Sequence, residues 1–456
     1  MSVSAKKSRY LIVLSIILAA AAFVRLWYIS YAGGAIIIEP DSRGYYSAGN
    51  FFTDDLLHNF FNINRTPGYT MVTSLALSLS GLGHPEYLSD GFFRGTWFII
   101  FGQTIFAVIG LVFLYELLVR AGIPEKFSLA FTGFTALNIY QFIWERAFLT
   151  TAIFITLVTV LVWLFVKLLE RPTRGSGIAF VAVAAYAFLV RPAGLGIPYM
   201  LLLVVWLVHR TKKVFVLLAL LLILFTAVPA GYSLMNTLLY NFHGIGINTE
   251  FALFGRILHY NIPVESAAVS EPDLYRKVVA YRAAGDNISI PWYFFVAYNN
   301  EIYHRMDDLH TFDTRVIAAN FGEFTGTMLS DVPSMFASTD VADVLYRAPQ
   351  GTSPAGIFFN LLAWVTERIQ KISIVFLVLF PCTVWLFVRK QTKLRAFFLG
   401  IGLMELYQLV STLVFGGPWD ISSHMVTTQT YLFLFLFWWA GMIFSFIKRR
   451  VLRAGR

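Results

Sequence analysis

Apolar residues in this chain come in long unbroken runs rather than in alternation. A run of about 20 apolar residues is long enough to cross a bilayer as a helix. Ten are legible, at 10–30, 94–119, 127–144, 148–168, 177–192, 195–208, 214–236, 371–388, 396–415 and 428–447. The pattern predicts an all-α polytopic membrane protein with about ten transmembrane helices. Two long segments interrupt the runs. The first, 33–93, belongs with an N-terminal transmembrane module over 1–236. The second, 237–370, reads as a small outer segment between spans seven and eight, and 371–456 as a C-terminal three-span module.

Shorter patterns lie inside those segments. TMVTSLALSLSGLG is too short to span and too apolar for free solvent, so it predicts a helix lying in the membrane interface. Pro67 suits its first turn, and Gly81 and Gly83 suit its end. Upstream, YYSAGNFFTDDLLHNFF predicts a second interfacial helix, and FGEFTGTMLSDVPSMFAS predicts an amphipathic helix in the outer segment.

Composition agrees. The chain is 57% hydrophobic and 13% charged, with mean hydropathy +0.67, against about a quarter charged in soluble domains. The net charge of +9 is unevenly placed. The stretches AKKSR, 120–126, KLLERPTR, HRTKK, RKQTKLR and KRRVLRAGR hold more than half of the 35 Lys and Arg residues, and the remainder has an excess of acids. The positive-inside tendency then puts both termini in the cytoplasm and segments 33–93 and 237–370 outside, on an inner (plasma) membrane. The charge is a topology signal, with no implication of nucleic acid binding. The N-terminal run reads as an uncleaved span rather than a signal peptide, since it continues through Trp27 and Tyr28. Arg25, near its end, is expected to snorkel to the headgroups. Glu405, mid-span, needs a partner, with Gln408 or Tyr407 nearby. The single cysteine, Cys382, excludes an intrachain disulfide and a Cys-cluster metal site.

Candidate chemistry gathers on the predicted outer face. Glu39 and Asp41 flank a proline directly after the first span, followed by Tyr45 and Tyr46. A carboxylate there can serve as a general base or hold a metal. Arg65, before the interfacial helix, presents a planar fork that suits phosphate oxygens. Glu145 and Arg146 sit between spans three and four, and Arg191 at the end of span five. His243, Arg256 and His259 follow span seven. Asp41 and His243 are the candidate ligands of a divalent metal ion. The stretch HRMDDLH looks metal-like but is ordinary on a wet loop.

Taken together, EPDSRGYYSAG, RTPGY, ERAFLTTAIF, LVRPAGLGIP and FALFGRILHYN, in this order over roughly residues 1–265, resemble the GT-C superfamily of membrane glycosyltransferases. The similar branches are the protein O-mannosyltransferase-like enzymes and the transferases that add aminoarabinose to lipid A. The resemblance implies inverting transfer of a sugar from a polyprenyl-phosphate carrier to a glycan, lipid or protein acceptor. It implies Asp41 as the first-loop acid and Glu145 as the acid after the third span. By the same resemblance Arg65 lies near the carrier phosphate, and His243 and Arg256 fall in the region of metal and phosphate contacts. A single Asp in E-P-D-S, rather than an adjacent Asp-Glu pair, departs from several branches.

One argument is independent of family. The cytoplasmic loops are too small to build a nucleotide-sugar site, whereas a lipid-borne donor reaches the outer surface from within the bilayer. Two rivals stand beside this reading. One is an O-antigen-type ligase or polymerase using a diphosphate-linked glycan with Arg256, His304 and Arg305. The other is a lipid or glycan transporter, a class marked by internal repeats, of which none is visible.

Overall fold

A computed structural model describes residues 3–34, 36–38, 41–47, 55–81, 85–285, 294, 298, 305–337, 353–416 and 426–454. Among them the regular structure is helical, with one isolated parallel bridge joining Ile37 to Ala147. The helices are α1 (Val3–Tyr31), α2 (Ser42–Ser47), α3 (Leu56–Phe60), α4 (Pro67–Leu79), α5 (Asp90–Ala121), α6 (Glu125–Ala136), α7 (Ile139–Glu145), α8 (Thr151–Glu170), α9 (Arg174–Val190), α10 (Gly196–His209), α11 (Lys212–Tyr240), α12 (Asn248–His259), α13 (Pro272–Ala283), α14 (Met306–Ala319), α15 (Phe321–Ala337), α16 (Pro354–Ile372), α17 (Phe376–Arg389), α18 (Lys393–Phe415) and α19 (Gln429–Ala454).

The protein is an all-helical, multi-pass membrane protein. Among the described residues, eight helical stretches are long and apolar enough to cross a membrane, against the ten expected. The expected span 127–144 is not one helix. α6 stops at Ala136, and Asn138 caps α7 by accepting from the Tyr140 N–H at 3.1 Å. The Asn138 amide also donates to Gln429 Oε1 at 3.0 Å, so a tertiary contact holds the break open. The expected span 177–192 is α9, a 17-residue apolar helix. The eighth expected span begins earlier, because α16 and α17 form one stretch, Pro354–Arg389.

α8 and α18 are the most enclosed of the long helices. α8 packs against α5, α9 and α10, and α18 against α10 and α17. Leu, Val and Phe side chains of α8 fill the centre, with Phe154, Phe165 and Val162 buried. The exposed large side chains of α5 and α11, such as Ile105, Ile223 and Leu224, face outward as a lipid-covered surface requires.

Two charged side chains depart from expectation. Arg25 does not snorkel. It is 1% exposed, and its Nε lies 2.8 Å from Glu145 Oε2. Its Nη1 donates to the carbonyls of Ala136 (2.9 Å) and Ala21 (3.2 Å). Glu145 supplies inside the bundle the counter-charge that the headgroups would have supplied at its edge. Glu405 is buried, and its partner is neither Gln408 nor Tyr407 but the Thr428 hydroxyl at 3.0 Å. Tyr407 is turned the other way, donating to the Ala193 carbonyl.

The first connecting segment runs as α2, α3 and α4. Of the expected second interfacial helix, the ends are described, as α2 and α3, and residues 48–54 between them lie outside the described set. Asp55 starts α3 by accepting from the His58 N–H at 3.1 Å. α4 begins at Pro67 and ends before Gly81, which has φ +73°. Gly83 lies outside the described residues. α4 buries Tyr69, Thr70, Thr73, Ser74 and Leu77 and exposes Leu75 and Leu79. Its polar face is inward, the arrangement expected when the exposed side meets lipid. Close approach to α9 needs Gly68, because a Cβ there would lie 2.5 Å from the Val190 backbone nitrogen.

In the second connecting segment, α12, α13 and α14 enclose a separate small core of Phe254, Leu309, Phe312 and Val316. The amphipathic stretch expected near 321 forms α15. Of WYFFVAY, Phe294 and Tyr298 are described, and Phe294 is buried in this core.

Candidate functional site

The Asp41 corner is assembled by three devices. The Ile37–Ala147 bridge ties the chain leaving α1 to the α7–α8 junction, with Ile37 donating to the Arg146 carbonyl (2.8 Å) and Phe148 to the Ile37 carbonyl (3.0 Å). The Asp41 carbonyl then accepts from the Gly44 N–H at 3.0 Å, opening α2. Third, Asn62 Oδ1 accepts from the N–H groups of Asn64 (2.8 Å) and Arg65 (3.2 Å), forming the turn that carries Arg65. Tyr232 of α11 anchors this turn, its hydroxyl accepting from the Asn62 N–H at 3.1 Å and lying 3.0 Å from the Asn62 carbonyl.

These devices bring Arg65 to Asp41. Arg65 Nη2 donates to Asp41 Oδ1 at 2.7 Å. The Asp41 side chain is 63% exposed and that of Arg65 only 12%. Arg65 Nη1 donates to Asn248 Oδ1 on α12 at 3.1 Å. The guanidinium carbon lies 5.0 Å from the centre of the Tyr45 ring, within cation–π range. Gly44 makes room, since a Cβ there would come within 3.0 Å of Arg65 Nε. Tyr45 meets Tyr69 edge to face at 5.2 Å. Thr150, the residue before α8, and Arg191 are both near enough to act on its phenol. Burial pushes the Tyr45 phenol up, while Arg65 pulls it down. Arg191 Nη1 donates to the Thr151 hydroxyl at 3.2 Å. One carboxylate, two guanidiniums and a neutral phenol thus share one corner of the bundle. Such a set can take a proton from a hydroxyl and hold a phosphate.

Other candidates lie elsewhere. Glu145 is buried against Arg25, in the interior rather than at the corner. Arg146 donates to the Ala32 carbonyl at 3.1 Å and faces the Tyr28 ring. Tyr46 is 6% exposed and packs with Tyr87 and Phe92. Arg256 is fully buried, with Nη1 2.5 Å from Asp331 Oδ2, and Tyr260 donates to the same carboxylate. It sits two turns beyond Asn248 on α12, roughly 12 Å along the helix. His259 is exposed against Tyr260. Arg305 pairs with Asp308 and Asp273. Glu39 and His304 lie outside the described residues.

Asp41 and His243, the candidate metal ligands, each have another partner. Arg65 occupies the Asp41 carboxylate, and His243 Nδ1 is 3.2 Å from the Thr237 hydroxyl. Among the described residues no group of three or more His, Cys, Asp or Glu side chains is placed to hold a metal ion.

The sequence patterns did not single out Tyr69, Thr150 or Asn248 for the corner. Tyr69 stood inside RTPGY and Thr150 inside ERAFLTTAIF, but neither residue type is unusual there. Nothing in the chain's order marks Asn248.

No family model matches the chain, and no curated protein does. Two solved structures of ArnT from Cupriavidus metallidurans are similar over most of its length. The apo form is 14% identical with TM-score 0.36, covering 90% of this chain and 76% of that one. The form bound to undecaprenyl phosphate is 13% identical with TM-score 0.32, covering 92% and 78%.

Proposed function

We propose that the protein is an inverting glycosyltransferase. It moves a sugar from a polyprenyl-phosphate carrier to a hydroxyl acceptor at the Asp41 corner, on the outer face of the membrane. The observation that carries this reading is Arg65, held against Asp41 and over Tyr45, with Arg191, which donates to Thr151 at the start of α8, within electrostatic reach of the same phenol.

The transfer is a single displacement. The acceptor hydroxyl attacks the anomeric carbon while Asp41 accepts its proton. The bond from that carbon to the phosphate oxygen breaks, and its electron pair leaves with the phosphate. Arg65 and Arg191 meet the charge that develops there, where donors aimed at a leaving group act most strongly. The carrier phosphate competes with Asp41 for the Arg65 fork, so donor binding frees the carboxylate for its role as base. Tyr45 stays neutral and holds the guanidinium plane.

The diphosphate-glycan reading has less support, because Arg256 is fully buried in its pair with Asp331 and Arg305 is held by two carboxylates, Asp273 and Asp308, whereas Arg65 meets one that is largely exposed. The test is transfer by purified protein in detergent, with no second compartment. Asp41→Asn is expected to lose 10²–10⁴-fold in turnover. Full activity in that variant, or a preference for diphosphate-linked donors, overturns the proposal.

A further inference from the structure

The other end of α8 carries a second basic site. α8 spans 20 residues, about 30 Å at helical rise. Thr151, beside Arg191, begins it, and Lys167 to Glu170 end it. Between this end and the start of α9 lies a cleft of about 500 Å³. Trp163, Leu164 and Ala179 make an apolar floor, and Lys167, Arg171 and Ser176 a polar rim. Lys167 Nζ sits 3.5 Å from the centre of the Trp163 ring. The acid on this rim, Glu170, is drawn away, pairing with Arg120 (3.2 Å) and Lys393 (3.1 Å) of neighbouring helices. Lys167 and Arg171 line the cleft, and the acid between them is shared with cations of other helices.

We propose that this α8–α9 cleft binds the phosphate headgroup of an anionic phospholipid, with one acyl chain along Trp163 and Leu164. A cleft open only to water has no use for an apolar floor, and a lipid-filled groove has no use for two cations. A phospholipid satisfies both at the depth where a span ends, the level favoured by tryptophan and lysine. The simpler account is that basic residues at span ends only orient the chain in the membrane. That account requires no cleft, no stacked Trp163–Lys167 pair and no diversion of Glu170.

The test uses the purified full chain in detergent, titrated with phosphatidylglycerol or phosphatidylcholine and read by native mass spectrometry. The parent is expected to retain phosphatidylglycerol preferentially. Lys167→Gln with Arg171→Gln should cut that preference tenfold or more, at roughly fivefold per charge. Lys213→Gln, which removes an exposed charge outside the cleft, should leave it unchanged. Arg171→Gln alone covers the case in which the double variant does not fold, since Arg171 is exposed. Brominated phosphatidylglycerol should quench fluorescence less in Trp163→Phe than in the parent. Equal retention of the two lipids, or an unchanged preference in the Arg171 variant, overturns the proposal. So does displacement of phosphatidylglycerol by a lower concentration of polyprenyl phosphate, which would assign the cleft to the carrier. Equal retention and an unchanged preference leave sugar transfer at the Asp41 corner untouched.

Discussion

Arg65 holds a carboxylate, an amide and an aromatic ring at once. Only a planar fork can reach all three, so Arg65→Lys is not conservative at this position. Its expected effect in steady-state kinetics is a rise of tenfold or more in KM for the carrier-linked donor and a smaller fall in kcat. A second single-residue prediction concerns Asp313 on α14. It is 1% exposed, and neither carboxylate oxygen has a hydrogen-bond partner among the described residues. Burial, with Glu250 nearby, pushes its carboxyl well above the ordinary value of 3.8. Glu250 itself faces His310 at 3.0 Å. The unfolded chain releases the Asp313 proton at lower pH than the folded one, so the stability it contributes is full below about 3.8 and lost as pH rises through the raised value. Asp313→Asn should melt higher than the parent at pH 8, by on the order of 1–3 kcal/mol, and coincide with it near pH 4. Calorimetry at the two pH values decides.

Among elements, α4 couples the site to the bundle. Arg65 stands immediately before it, and Gly68 in its first turn touches the α9 backbone. Tyr186 of α9 donates to the Gly68 carbonyl at 3.1 Å. Gly68→Ala forces a Cβ against the backbone of α9, which no rotamer can relieve. A loss of about 1–3 kcal/mol is expected in thermal unfolding, with reduced transfer activity, because lifting α4 lifts Arg65. The start and end of α4 were legible, since Pro67 and Gly81 are punctuation that any helix obeys. Its burial was not. Thr70, Thr73 and Ser74 look like a solvent face, and only packing against α5 and α9 turns them inward. The break at Asn138 was hidden for a related reason. An apolar run reads as one helix until a distant residue, here Gln429, draws the asparagine side chain away.

On the scale of the whole molecule, Arg25 and Glu145 join helices 120 residues apart in sequence. Removing one partner leaves an unpaired buried charge, so Arg25→Leu or Glu145→Gln should each cost about 3–5 kcal/mol. Replacing both with leucine should recover much of that loss. Detergent melting curves of the three variants measure it. The sequence reading sent Arg25 to the headgroups and Glu145 to the outer turn between spans three and four, because nothing in the order of residues shows that the two meet.

The sequence by itself determined that the chain is helical and multi-pass. A backbone in lipid must satisfy its own hydrogen bonds, and that demand writes continuous apolar runs. It also marked Asp41, Arg65 and Arg191, because charge beside such runs needs a reason. Tertiary structure alone decided which charges meet. Asp41 found Arg65 while Glu145 found Arg25 and Arg256 found Asp331, since electrostatic attraction depends on separation in space, which order along the chain does not encode.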